Sequence, residues 1–260
     1  MSNVRPDHGI FLRKIGRFLP RWVKQLYKYV FFALEFIKFK HLNSDNINRF
    51  ASPSWRQRLP CLDDKQSNTP FDKHYIYHPA WAARVLAKTR PHRHVDISSS
   101  LSFSTIVSAF VPVDFYDYRP ALLGLDGLSS NFGDLLRLPF IDSELQSVSC
   151  MHVIEHVGLG RYGDPLDFDG DIKSIVELKR IIKSGGDLLL VVPVGAAKIV
   201  FNAHRIYSYE QIVKNFSEFE LKEFSLITDS GRPEGMIMNA SPELVSQQQY
   251  GCGCFWFKKV

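Results

Sequence analysis

Polar side chains able to hold a nucleoside recur at the ends of four short apolar runs. Residues 96–100 close the first run, 117–119 the second, 133–135 the third and 152–156 the fourth. In an open α/β sheet, ligands bind outside the carboxyl ends of the strands, where the strand order reverses. A carboxylate at Asp117, ending the second strand, can accept both hydroxyls of a ribose. One at Asp134 can accept from the exocyclic amine of adenine. Neither a P-loop lysine signature nor a glycine-rich dinucleotide turn follows the first run. The residues therefore describe a nucleoside site without a phosphate cradle.

The elements that must position these groups are read from the spacing of apolar residues. Residues 134–195 organise the chain. Residues 148–153 are a short apolar run, as in a strand buried on both faces. Ile172, Ile175, Val176, Leu178, Ile181 and Ile182 have helical spacing, and 187–194 is again a buried strand. Strand, helix and strand make one unit of a parallel sheet. Upstream, 94–100 and the run ending at Asp117 read as strands flanking a short helix over 102–110, and a third strand leads into 131–138. Pro79 suits the first turn of a helix over 80–88, which leaves His74, Tyr75, Tyr77 and His78 just before it. Ser208 with Gln211 marks a capping box for a helix over 209–216. Residues 221–228 and 253–258 read as a closing antiparallel pair. The expected fold is α/β: a doubly wound, mostly parallel, seven-stranded sheet with an N-terminal helical extension.

Four cysteines among 260 residues make no disulfide framework, and a reducing cytoplasm fits them best. Cys252 and Cys254 point to one face of a strand, but two thiolates do not close a zinc site, and no metal is expected. The net charge of +5 is unevenly placed: residues 1–58 carry +9 and the remainder −4. Three segments follow: a basic, aromatic helical extension over 1–42, a proline-bearing linker or wrapping arm over 43–70, and the α/β domain over 71–260. In the extension, Pro20 divides residues 11–39. Trp22, Val23, Leu26, Val30, Ala33 and Ile37 can line one helical face. No uncharged run is long enough to span a bilayer. Two readings stay open: a helix lying on an anionic inner leaflet through residues 11–40, or a helix docked on the α/β domain. Nucleic acid is not an expected partner, because the body is acidic.

The order of elements resembles a class I S-adenosylmethionine-dependent methyltransferase. HVDISSS, FYDYRP, GDLLRLPF, HVIEHVGLGRYGDPLD, ELKR and FNAHRIYS more closely resemble a bacterial methyltransferase-like family of unknown function, whose genes often lie among those for surface polysaccharide. The resemblance covers roughly residues 59–224. It implies S-adenosyl-L-methionine as cofactor, contacted by Asp96, Ser98, Ser99, Asp117, Asp134, Leu135 and His152. It implies O-methylation of a sugar in a surface glycan or its lipid- or nucleotide-linked precursor. The turn at Ser98–Ser100 departs from the superfamily's glycine-rich turn, where backbone approaches the cofactor. The alternative is therefore an inactive methyltransferase-fold scaffold at the membrane surface.

On the substrate side, His204 is the expected base for a hydroxyl proton, with His156 and Glu155 as rivals. Arg205 can bind a phosphate or carboxylate, and Arg161 and Tyr162 are further acceptor contacts. HVIEH also spells an inverted zinc-protease motif, but it begins in a strand rather than a helix. Asp164, Asp167, Asp169 and Asp171 lack EF-hand spacing. They are expected to form a solvated loop that caps the next helix, with a single Mg²⁺ as the alternative.

Overall fold

The computed structural model describes residues 19–42, 52–229 and 235–260. They fall into two units, one within the first 70 residues and one over Phe71–Val260. Residues 11–18 of the amphipathic segment and 43–51 of the expected arm lie outside the described residues.

In the first unit, helix α1 (Arg21–Lys40) follows Pro20 and buries no residue. The chain after it folds back along the helix. Trp55 packs on Phe36, Phe32 and Tyr29, with ring centroids 4.9, 6.0 and 6.4 Å away. Lys28 pairs with Asp63 and Lys65 with Glu35. Trp22, Leu26, Val30 and Ile37, on a neighbouring face, remain exposed.

The second unit is built on one sheet. Its strands are β1 (His94–Ile97), β2 (Val113–Asp117), β3 (Leu128–Phe132), β4 (Leu145–Met151), β5 (Ile182–Val194), β8 (Phe219–Ile227), β9 (Ile237–Met238) and β10 (Gly251–Lys259), in the order β3-β2-β1-β4-β5-β10-β8-β9. The first five are parallel. β10 runs antiparallel between β5 and β8. The sheet thus has eight strands rather than the expected seven, because two-residue β9 pairs with the edge of β8. A separate hairpin, β6 (Lys198–Val200) with β7 (His204–Ile206), occupies a stretch expected to be loop.

Alternation along β5 separates two cores. Leu188, Leu190 and Val192 pack with helices α4 (Gly170–Ile181) and α5 (Tyr209–Asn215). Leu189 and Val191 pack on the other face with α2 (Lys73–Thr89) and α3 (Leu101–Val107). Period-two burial against helices on both faces is what makes the sheet doubly wound. A last short helix, α6 (Pro242–Ser246), precedes β10.

Helix α2 differs from expectation. It begins at Lys73, where the Asp72 side chain accepts from the Tyr75 amide, and it runs through Pro79. The side-chain cap places the helix start about two turns earlier than the proline suggested. His74 and His78, expected ahead of the helix, therefore lie four residues apart on one of its faces. The Ser208–Gln211 capping box of α5 is present as expected.

Candidate active site

The carboxyl ends of β1 to β4 open onto a cavity of about 380 Å³. Ser98, Asp117, Asp134, Leu135, His152, His156 and Tyr162 line it together, with Arg119 and Asp164 beside them. Leu135 is buried, and the two aspartates are half-buried.

The turn after β1 takes the conformation that glycine usually supplies. Ser98 has φ +53°, and its amide and hydroxyl both donate to the Tyr116 carbonyl, at 2.8 and 3.2 Å. A side chain in the left-handed region costs about 1–2 kcal/mol, which this double anchor offsets. Ser99, in the same turn, faces elsewhere: its hydroxyl accepts from the Met151 amide, and it lines a smaller adjoining cavity with Asp117 and Arg119. Asp117 and Asp134 are each held by one oxygen, accepting from the amides of Arg119 (2.7 Å) and Leu136 (2.9 Å). These two-residue turns fix the carboxylates and leave the second oxygen of each for a ligand.

Asp96 has a different position from the one the resemblance implied. It is fully buried and accepts the hydroxyls of Ser104 and Ser149, tying β1 to α3 and β4. Burial pushes its carboxyl up to about 6. It supports the sheet beneath the cavity and does not line it.

The groups after β4 divide in the same way. His156 lines the cavity, and its Nδ1 lies 2.7 Å from the Ala203 carbonyl. That carbonyl only accepts, so Nδ1 carries the proton and, in the neutral ring, Nε2 keeps the lone pair, 3.8 Å from Glu155 Oε1. Glu155 is 1% exposed; its Oε1 accepts from His152 Nδ1 at 2.9 Å, so it orients His152 and is out of reach of an acceptor. His204 does not line the cavity. Its ring packs against Tyr250, with centroids 4.7 Å apart and the planes tilted by 42°, and burial lowers its pKa. Hairpin β6–β7 turns it away from the position that a simple loop would have given it.

Arg205 also differs from its expected role in acceptor binding. It is 4% exposed and donates to the carbonyls of Val157, Asp167 and Phe168, with Asp171 at 3.5 Å. It anchors the loop over 157–168. Asp164 organises the same loop by accepting from the amides of Gly158, Gly160 and Tyr162. Gly158, Gly160 and Gly163 all have positive φ, and a Cβ on Gly158 would meet the Asp167 carbonyl oxygen at 2.0 Å. The GLGRYGD motif is thus a turn built by glycines around one carboxylate. Of the other acidic residues, Asp167 pairs with Lys173 and Asp171 accepts from Tyr207, and Asp169 precedes α4 without a side-chain cap bond. The Mg²⁺ reading gains nothing from this arrangement.

At the cavity mouth, the guanidinium groups of Arg119 and Arg161 lie 5.0 and 5.1 Å from the centre of the Tyr162 ring. Arg161 is held there by the Ala203 carbonyl at 3.0 Å.

Behind His152 lies a cluster that the sequence reading missed. His74, His152 and Cys252 are buried, and their ligand atoms lie within 4.8 Å of one another. Its members come from α2, the end of β4 and β10, so no local spacing in the sequence announces it.

Comparison with solved structures bears on this fold. The N-methyltransferase NodS from Bradyrhizobium japonicum, solved with S-adenosyl-L-homocysteine, superposes with a TM-score of 0.50 at 15% identity, over 74% of this chain and 89% of NodS. The domain has the Rossmann-like fold of class I methyltransferases. YcgJ from Bacillus subtilis matches at 16% identity, over 69% of this chain and 98% of its own, with a TM-score of 0.47. A 1,6-didemethyltoxoflavin N1-methyltransferase from Burkholderia thailandensis matches at 10% identity, over 71% and 79%, with a TM-score of 0.48. A family model described as Caenorhabditis protein of unknown function, DUF268, matches residues 140–248. No curated protein matches the sequence.

Proposed function

We propose that the chain is an S-adenosyl-L-methionine-dependent methyltransferase whose acceptor is a hydroxyl of a phosphate-bearing sugar. The observation that carries this reading is the meeting of Asp117, Asp134 and His156 in one cavity of about 380 Å³ on the carboxyl side of the sheet. The free oxygen of Asp117 suits a ribose diol and that of Asp134 an adenine amine, with Leu135 against the base. The Ser98 hydroxyl, its proton given to the Tyr116 carbonyl, keeps an oxygen that can accept from the ammonium of the amino-acid end.

The cofactor would supply an electrophilic methyl group on a sulfonium. Ser98, Asp117, Asp134 and Leu135 would hold that cofactor, and His156 Nε2 would take the proton of the acceptor hydroxyl. The protein's contribution is chiefly to hold the two partners in line, together with proton removal by a fixed tautomer. The guanidinium groups of Arg119 and Arg161 favour an acceptor carrying phosphate, as nucleotide-linked and lipid-linked sugars do.

Membrane attachment through α1 belongs to the same reading. Its exposed Trp22, Leu26, Val30 and Ile37 would enter the interface while Arg21, Lys24, Lys38 and Lys40 meet anionic headgroups. No helix among the described residues is long and apolar enough to cross a membrane.

The test is transfer of a labelled methyl group to a panel of nucleotide sugars and lipid-linked sugars. Label in a sugar hydroxyl, lost in His156→Gln, is the expected result. Absence of transfer to every phosphorylated sugar, with transfer to another acceptor class, would refute the sugar assignment.

A further inference from the structure

His152 stands at a crossing that the nucleoside reading does not use. Its backbone has φ +59°, unusual for a residue other than glycine, and its ring is directed by two contacts. Glu155 Oε1, at 2.9 Å, holds the proton on Nδ1. The lone pair of Nε2 therefore faces Cys252 Sγ, 3.4 Å away. His74 stacks on His152 at 5.5 Å with an interplanar angle of 7°, and a nitrogen of its ring lies within 4.8 Å of the His152 and Cys252 donor atoms.

We propose that His74, His152 and Cys252 bind a divalent transition-metal ion of the zinc class. The donor set is nitrogen and sulfur, which selects borderline-soft ions over Mg²⁺ or Ca²⁺. Zinc bonds of about 2.3 Å to sulfur and about 2.0 Å to nitrogen place tetrahedral ligand atoms roughly 3.3–3.7 Å apart, and the Cys252–His152 separation falls in that range. Glu155 gives His152 the carboxylate partner that metal-bound histidines usually have.

Charge balance points the same way. Glu155 is buried, and its Oε2 has no hydrogen-bond partner. A dication held by one thiolate and two neutral rings carries one net positive charge, which offsets that carboxylate. His78, one turn along α2 from His74, holds its Nδ1 proton against the His74 carbonyl at 2.6 Å. Its Nε2 is a second buried acceptor without a partner. Three protein ligands leave a coordination position open on the wall that His152 shares with the main cavity.

The experiment is titration of chelator-treated full-length protein with Co²⁺, followed by absorption. The expected result is equimolar saturation with a thiolate-to-cobalt charge-transfer band, displaced by Zn²⁺. The band should persist in Cys61→Ser, which removes the exposed thiol, and vanish in Cys252→Ser. Circular dichroism checks that each variant is folded. Should Cys252→Ser fail to fold, His74→Gln replaces it, with Co²⁺ affinity lowered at least about tenfold. A folded wild-type protein without the band, a band retained by folded Cys252→Ser, or unchanged affinity in His74→Gln would each overturn the proposal. The site stands apart from the cofactor reading: binding of Co²⁺ without binding of S-adenosylhomocysteine would refute only the latter.

Discussion

The Nδ1 atom of His156 lies 2.7 Å from the carbonyl oxygen of Ala203, and this contact decides which ring nitrogen is left with a lone pair. Ala203 directly precedes hairpin strand β7, so the hairpin sets the tautomer of the cavity histidine. His156→Gln can keep the bond to Ala203 through its amide but cannot accept a proton as a base. It is predicted to bind S-adenosylhomocysteine as the wild type does and to lose about 10²–10⁴-fold in methyl-transfer rate. A rate unchanged in this variant would remove His156 from the mechanism.

Arg205 makes a sharper test of structure against expectation. Breaking a buried, hydrogen-bonded pair by deleting one partner typically costs about 3–5 kcal/mol. Arg205→Ala, which strands Asp171 and three carbonyls, should lower the denaturation midpoint markedly, with Arg205→Lys in between. An acceptor-binding arginine would instead raise KM and leave the midpoint in place.

The acid limb of stability should carry a signature of His94. This ring is wholly buried between the hydroxyls of Ser147 and Ser149, and burial lowers its pKa from 6.5 to about 3. Between those values the unfolded chain binds the proton and the native chain does not, so stability rises with pH. The contribution is complete above pH 6.5 and lost on acidification toward about 3, at up to about 1.4 kcal/mol per unit. Asp96, raised to about 6, opposes it between about 6 and 3.8, where the native state binds the extra proton. Unfolding titrations of His94→Gln between pH 6.5 and 4 should show a shallower acid slope than the wild type. An unchanged slope would contradict the burial argument.

The exposed face of α1 predicts binding to anionic vesicles. Replacing Trp22, Leu26 and Ile37 by glutamate should abolish flotation with phosphatidylserine liposomes while leaving cofactor binding intact. Flotation that survives the triple change, or that never occurs, would rule out this attachment.

Strands β5 and β10 were legible because they are buried on both faces over most of their length and read as apolar runs. The same rule located Ser98, Asp117, Asp134 and His152, since ligand groups collect at strand ends. What was not legible depended on short or competing signals. Three-residue β6 and β7 are too short to show alternation, and they displace His204 and bury Arg205. Asp96 has the type and position of a ligand group, yet its neighbours Ser104 and Ser149 engage it from elements distant in sequence. Pro79 suggested a helix start and hid the Asp72 cap, and with it the pairing of His74 and His78.

The central claim is that Asp117, Asp134 and Ser98 hold a nucleoside cofactor. Its most direct test is calorimetric titration of the full chain with S-adenosylhomocysteine, beside a folded Asp117→Ala variant. The account predicts micromolar binding, on the order of −8 kcal/mol, weakened at least about tenfold in the variant. No binding by a demonstrably folded wild-type chain, or equal binding by both, would contradict it.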